Sequence, residues 1–181
     1  MTMLQKVSTM TDNNWGERFG NKGLAALAGF MSTYNMATQT FVFSTVDPRT
    51  TGTAPCFING VYIPSLTVEN NSDWSGTTAA TSVEGDAKGV VVPDLHSCYF
   101  AVFADADGRL RVDQAGDILL DTACLTAGVK IPWFDPSTWV CIAVFLINST
   151  GWTAGDTDVG SMETIYQVIG PVLPHPSNLS I

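Results

Sequence analysis

The chain has 181 residues, enough to bury a core as one domain or as one domain with an arm; 45% are hydrophobic and only 14% charged. So low a charged fraction excludes a solvated disordered chain. The net charge of −9, with 8 Lys+Arg against 17 Asp+Glu and no basic cluster, argues against binding to nucleic acid or to an anionic membrane, both of which need grouped cations. The imbalance is uneven: Lys6, Arg18 and Lys22 offset Asp12 and Glu17 in residues 1–22, which leaves the acidity to the remainder.

The opening MTMLQKVSTM carries no apolar core of a secretory signal, so synthesis in a cytoplasm is expected. The longest apolar run, residues 139–147, falls far short of the roughly 20 residues a membrane helix requires. Residues 1–20 are polar and irregular. "NKGLAALAGFM" then sets Leu24, Leu27, Ala28 and Met31 at helical spacing with Asn21 as a cap, predicting one short helix. Its apolar surface, with Leu24, Leu27, Phe30 and Met31, is wider than one stripe. A helix this short is marginal alone in water and must pack on its own domain or on another chain.

From Thr38 on the texture changes. "TQTFVFSTV", "CFINGVYIPSLTVE", "GVVVP", "SCYFAVFADADGRLRVDQ", "DILLDTACL", "WVCIAVFLIN" and "ETIYQVIGPVL" are rich in Val, Ile, Phe, Tyr and Thr, separated by Gly, Pro, Asn, Asp and Ser. This is the pattern of short strands and turns, an all-β sandwich or barrel. Strands do not alternate with long amphipathic helices, which argues against a nucleotide-binding α/β fold. The expected organisation is an N-terminal arm with the short helix (residues 1–39), a β-domain (40–172) and an extended tail (173–181).

Two hairpins stand out. Asn59-Gly60 tolerates the positive φ that a type I′ turn needs at both central positions. Asp107-Gly108, in "AVFADADGRLRV", is read in the same way. That reading pairs Ala106 with Arg109, Asp105 with Leu110 and Phe103 with Val112. It places Tyr99, Ala101, Phe103, Leu110 and Val112 on one face, with Arg109 and Arg111 on a wetter one. Asp105 and Asp107 also raise a metal loop or a catalytic carboxylate pair. A calcium loop would continue with further oxygen ligands and a closing glutamate, both missing here, and no nucleophile or partner base stands nearby. The hairpin turn is the better account.

The sequence has no nucleophile elbow, P-loop, dinucleotide fingerprint or zinc-protease motif. Cys56, Cys98, Cys124 and Cys141 read as buried free thiols, and with only His96 and His175 to help, a zinc site is not expected. His96 reads as a strand-edge residue and His175 as part of a Pro-rich tail. The Asn-x-Ser/Thr sequences at Asn70, Asn148 and Asn178 read as turn chemistry. Trp139 reads as core. Trp74 and Trp152 lie in turn-like stretches and are candidate exposed aromatics, for packing between subunits or for stacking on a glycan.

The order "FINGVYI", "YFAVFADADGRLRV", "IPWFDPSTWVCIAVFLIN", "GWTAGDTDVGSMETIYQVIGP" resembles a group of tailed-bacteriophage virion proteins. In these a hairpin precedes a strand with an Asp-Gly or Ala-Gly turn, a Pro-flanked strand follows, and a segment like F-T-P-G-T-T-x-L leads into a last strand T-x-x-Y-x-N-V. Residues 152–159 fill the penultimate slot and 164–169 the last strand, so the resemblance spans about 55–172. Ala154 stands where proline is common, and "GPVLPHPSNLSI" extends past the last strand. The resemblance implies a virion structural protein at the capsid surface, most simply a decoration (cement) protein. It would bind the major capsid protein, be a homotrimer, and have neither catalytic centre nor cofactor. The alternative is a head or tail fibre component that binds a host receptor or glycan through Trp74 and Trp152. A glycan-cleaving enzyme built on paired carboxylates is the weakest alternative. Candidate shell or subunit contacts are Trp15, Phe19, Leu24, Leu27, Phe30 and Met31.

Overall fold

A computed structural model describes residues 24–37, 41–44, 47–50, 53–67, 85–87, 89–148, 151–154 and 163–174. The chain is an all-β sandwich with short helices. Helix α1 covers residues 24–31. Five strands follow: β1 (Tyr34–Asn35), β2 (Phe41–Ser44), β3 (Asp47–Thr50), β4 (Thr53–Ile58) and β5 (Val61–Thr67). After them come β6 (Val91–Val92), β7 (His96–Ala104), β8 (Leu110–Gln114), β9 (Leu119–Leu120) and helix α2 (Asp121–Ala127). The last strands are β10 (Val140–Asn148), β11 (Trp152–Thr153), β12 (Glu163–Gln167) and β13 (Gly170–Pro171).

A five-stranded sheet, in the order β12-β10-β7-β8 with β9 also on β7, forms the middle of the molecule. A four-stranded sheet, β13-β1-β4-β5, covers one of its faces. The Tyr34–Asn35 strand falls within the segment read as an arm, yet it is an inner strand of this cover. Between the sheets lie Cys56, Ile58 and Leu66 from the cover and Phe100, Val102, Leu110, Val112, Ile142 and Phe145 from the central sheet. The other face of the central sheet presents Tyr99, Ala101, Phe103, Cys141, Val144 and Leu146 to Phe30 of α1, Cys124 of α2, and Phe134 and Trp139 of the connecting segment. Burial on both faces explains why β7 and β10 are nearly continuous apolar runs with no alternation.

At Cys141 and Ala143 the β10 register shifts by one, so Ile142 and Ala143 both face the strand-side core. The buried Asn35 bridges the sheets there, its Nδ2 donating to the carbonyls of Cys141 and Val168, each at 3.3 Å.

The Asn59-Gly60 hairpin forms as expected, with φ of 51° and 76°. The Asp107-Gly108 turn differs from the expected one. Gly108 N–H donates to the Asp105 carbonyl and Asp105 N–H to the Arg109 carbonyl, both at 3.1 Å, and of these residues only Gly108 has positive φ. The loop is therefore one residue longer, a type I turn followed by a left-handed glycine. The register becomes Ala104 with Leu110, Phe103 with Arg111 and Val102 with Val112. A slip of one residue exchanges faces. Leu110 and Val112 thus join Phe100 and Val102, while Arg111 stands beside Phe103, its guanidinium carbon 6.0 Å from the ring centre.

"DILLDTACL" is a second correction: only Leu119–Leu120 is strand, and α2 follows at once. Cys124 is the one buried residue of α2, so no apolar periodicity announces it. Its end does carry a signal, since Gly128 takes φ 69° and donates its N–H to the Cys124 carbonyl.

Candidate functional site

Helix α1 is held to the domain by one edge. Phe30, 2% exposed, sits edge-on to Trp133 (5.2 Å, 87°) and Phe134 (4.9 Å, 75°), and Phe134 in turn meets Phe103 at 4.8 Å. Gly29 lies so close to Pro136 that a Cβ there would stand 2.9 Å from the proline Cγ. The Thr33 hydroxyl donates to the Pro136 carbonyl at 2.7 Å and accepts from Asn59 N–H at 2.8 Å, and Gly60 N–H donates to the Ser32 carbonyl. The end of α1 is thereby fixed to both the Asn59-Gly60 hairpin and the segment before β10.

The opposite edge of α1 faces outward. Leu24 is 66% exposed, Leu27 45% and Met31 53%, and Trp133 beside Phe30 is 42% exposed. Residues 24, 27 and 31 repeat at three- and four-residue steps and so form one stripe. Of the candidate contacts read from the sequence, Leu24, Leu27 and Met31 are presented on the surface. Phe30 is not, because the breadth of the apolar surface reflects two stripes, of which its own faces the core. Trp15, Phe19 and Trp74 lie outside the described residues.

Trp152 is a correction. It is fully buried, because β11 pairs with β6, Trp152 opposite Val92, and this sets the indole 5.6 Å from Phe100. It offers no stacking surface to a glycan. Trp139 is in the core as expected.

The acidic turn closes on itself. Asp105, 3% exposed, accepts at Oδ1 from the backbone N–H groups of Asp107 (3.0 Å) and Arg109 (2.9 Å). Its Oδ2 accepts from Nε and Nη2 of Arg109, both at 2.7 Å. Both oxygens are engaged in holding the turn, which supports the hairpin account over a metal or catalytic one. Asp113 is held similarly by Arg111 at 2.7 Å and also accepts from Asp86 N–H, so the β8 edge is tied to residues 85–87. Ala87 N–H donates to the Val112 carbonyl and covers that edge.

All four cysteines are buried free thiols. Burial pushes the Cys56 thiol up to about 11 and those of Cys98 and Cys141 to about 12; Cys124 is raised for the same reason. Protonated thiols are poor nucleophiles and poor ligands. His96 begins β7, as expected of a strand-edge residue, with Nδ1 2.9 Å from the Asp94 carbonyl oxygen. Asp135 is held below the usual carboxylate range by the hydroxyl and N–H of Ser137 and the hydroxyl of Thr138, which shape the turn into β10. Among the described residues no group of three or more His, Cys, Asp and Glu side chains could hold a metal ion, and no helix is long and apolar enough to cross a membrane.

Trp133 and Leu95 are among the exposed apolar residues that the sequence does not single out as contacts. Trp133 has its signal in Pro132 and Asp135, which mark the segment as irregular and superficial. Leu95 follows Pro93-Asp94, a turn signal, and the turn closes around it from Pro93 to His96. Comparison with protein-family models, with curated proteins and with solved structures finds no match.

Proposed function

We propose that this chain is a bacteriophage virion structural protein, a capsid decoration protein that binds the shell built by the major capsid protein and stabilises it by adhesion. The resemblance in hairpin order motivates the reading. The observation that carries it is the outward stripe of Leu24, Leu27 and Met31 with Trp133 beside it. Exposed apolar groups gathered on one element mark a protein contact. Full burial of such a side chain is worth about 1.5–3 kcal/mol, and these, already partly covered, would gain about half of that each, so several together suffice for a durable contact. Linking protomers into a homotrimer would multiply that contact and slow release. The saturated Asp105 turn and the protonated thiols fit adhesion better than chemistry. The fibre alternative loses Trp152 as a stacking group.

Protein stoichiometry in purified particles tests the reading. A decoration protein is expected at a copy number that scales with shell subunits. A number that scales with the vertices or the tail, or absence from the particle, would refute it.

A further inference from the structure

Residues 93–96 form a β-turn closed by His96 N–H donating to the Pro93 carbonyl at 3.2 Å. Leu95 occupies the third position with φ 62°. A turn of this kind calls for Gly or Asn there, and a bulky side chain in the left-handed region is strained. Among the described residues the one other non-glycine with positive φ is Asn59, at a hairpin position that favours Asn. Leu95 also gains nothing from burial. At 71% it is the most exposed of the described large hydrophobic residues. It therefore departs from local backbone preference and from apolar burial together, and its side chain is not buried among the described residues. Strain of this sort gathers at functional positions.

Asp121 N–H donates to the Leu95 carbonyl at 3.2 Å, which sets the turn against Leu120, the residue before α2. Leu120, opposite His96 across the strand pair, is 56% exposed, as is Leu125 on α2. Two carboxylates frame the turn, Asp94 within it and Asp121 beside it. Neither is ion-paired among the described residues; Asp121 accepts the Ser97 hydroxyl at 2.5 Å. Lys130, not far along the chain, is occupied with Asp117 at 2.9 Å.

The geometry points to Leu95 as an anchor that enters an apolar socket rimmed by Lys or Arg on a protein partner, with Leu120 widening the apolar contact and Asp94 and Asp121 meeting the cations. This rests on the function proposed above, and the partner is then the shell subunit. The turn holds the leucine outward at a cost in strain, so that little ordering remains on docking. Charge complementarity supports the choice of partner, since a chain of net charge −9 that sets two carboxylates, not ion-paired among the described residues, around an apolar knob is repelled by another acidic surface.

The test titrates purified shells lacking the protein with wild type, Leu95→Gly, Leu95→Ala and the double variant Asp94→Asn/Asp121→Asn. Leu95→Gly is expected to raise the melting temperature of the free protein, because glycine adopts φ 62° without strain, and to weaken shell binding about ten- to a hundredfold. Leu95→Ala should weaken binding as much without the gain in melting temperature, which separates anchor from strain. The double variant should flatten the salt dependence of binding. If wild type coats shells and Leu95→Gly coats them as tightly, the anchor is refuted and the decoration reading survives. If wild type does not coat them, both fall. A lower melting temperature in Leu95→Gly would overturn the strain argument.

Discussion

The central sheet has two covers, built on different principles. On one side β13-β1-β4-β5 closes the core with backbone ladders. The apolar groups on the outer surface of this cover lean on one another: Pro171, Tyr34, Phe57 and Tyr62 form a cross-strand row with ring centres 5.3 Å apart at each ring pair. On the other side α1, α2 and the segment before β10 close the core with side-chain wedges, Phe30, Cys124, Phe134 and Trp139. The outer surface of this cover exposes Leu24, Leu27, Met31, Trp133 and Leu125. The strand cover links its outer aromatic groups through neighbouring strands, with Val61 and Tyr62 at its hairpin still 64% and 52% exposed. A short helix has two stripes and can bury only one, so the helical cover remains open to a further layer.

The largest test of that contrast sets one tryptophan against another. Trp152 is fully buried beside Phe100, so Trp152→Ala should cost about 3–5 kcal/mol in denaturant unfolding. Trp133, 42% exposed and edge-on to Phe30, should cost only about 1 kcal/mol as Trp133→Ala. Trp152 is carried by β11, outside the cover sheet, and reads the core on that side, so equal losses would mean that this core is no better sealed than the edge of the helical cover.

Alkaline pH gives the next largest effect. Cys56 and Cys98 lie beneath the strand cover, Cys141 beneath the helical one, with thiols raised to about 11, 12 and 12. In the unfolded chain a thiol ionises near its ordinary 9.0, so above that value the unfolded state sheds protons that the native state retains. Stability is therefore level well below pH 9 in this respect and falls with growing steepness as pH climbs through 9 toward 11–12. Thermal melts from pH 8 to 10 check this, and a flat profile would refute it. Thiol labelling under native conditions sharpens the comparison. Cys124 and Cys141 should react before Cys56 and Cys98, because short helices open locally more readily than a laddered sheet.

The all-β class was legible because β-branched and aromatic runs between turn residues have few other uses, and Asn59-Gly60 because its two positive φ values demand those residues. The Asp107-Gly108 hairpin was legible only as a turn. Asp-Gly suits both a two-residue and a three-residue loop, and what decides is Asp105 folding back on Asp107 and Arg109, a contact outside the dipeptide. β7 and β10 are buried on both faces, so period-two alternation was absent and could not say which residues meet which cover. In the candidate site, helical spacing gave the stripe of Leu24, Leu27 and Met31, but not which way Phe30 turned. Leu95 was hidden because it stands where a turn of its type calls for glycine.

The smallest expected effect on stability is the sharpest test of the comparison. Helix α1 is pinned by Phe30 between Trp133 and Phe134, by the contact of Gly29 with Pro136 and by the Thr33 hydrogen bonds. None of these involves Leu24 or Leu27. Replacing either with Lys puts a charge where the side chain is already 66% or 45% exposed, so stability should stay within about 0.5 kcal/mol of wild type. Phe30→Ala, three residues from Leu27, should instead cost about 3–5 kcal/mol. If the outward stripe is the docking surface, Leu24→Lys and Leu27→Lys give proteins that melt like wild type yet no longer coat shells. A Leu27→Lys protein as unstable as Phe30→Ala would mean that the stripe belongs to the core, and that the helical cover buries both of its stripes.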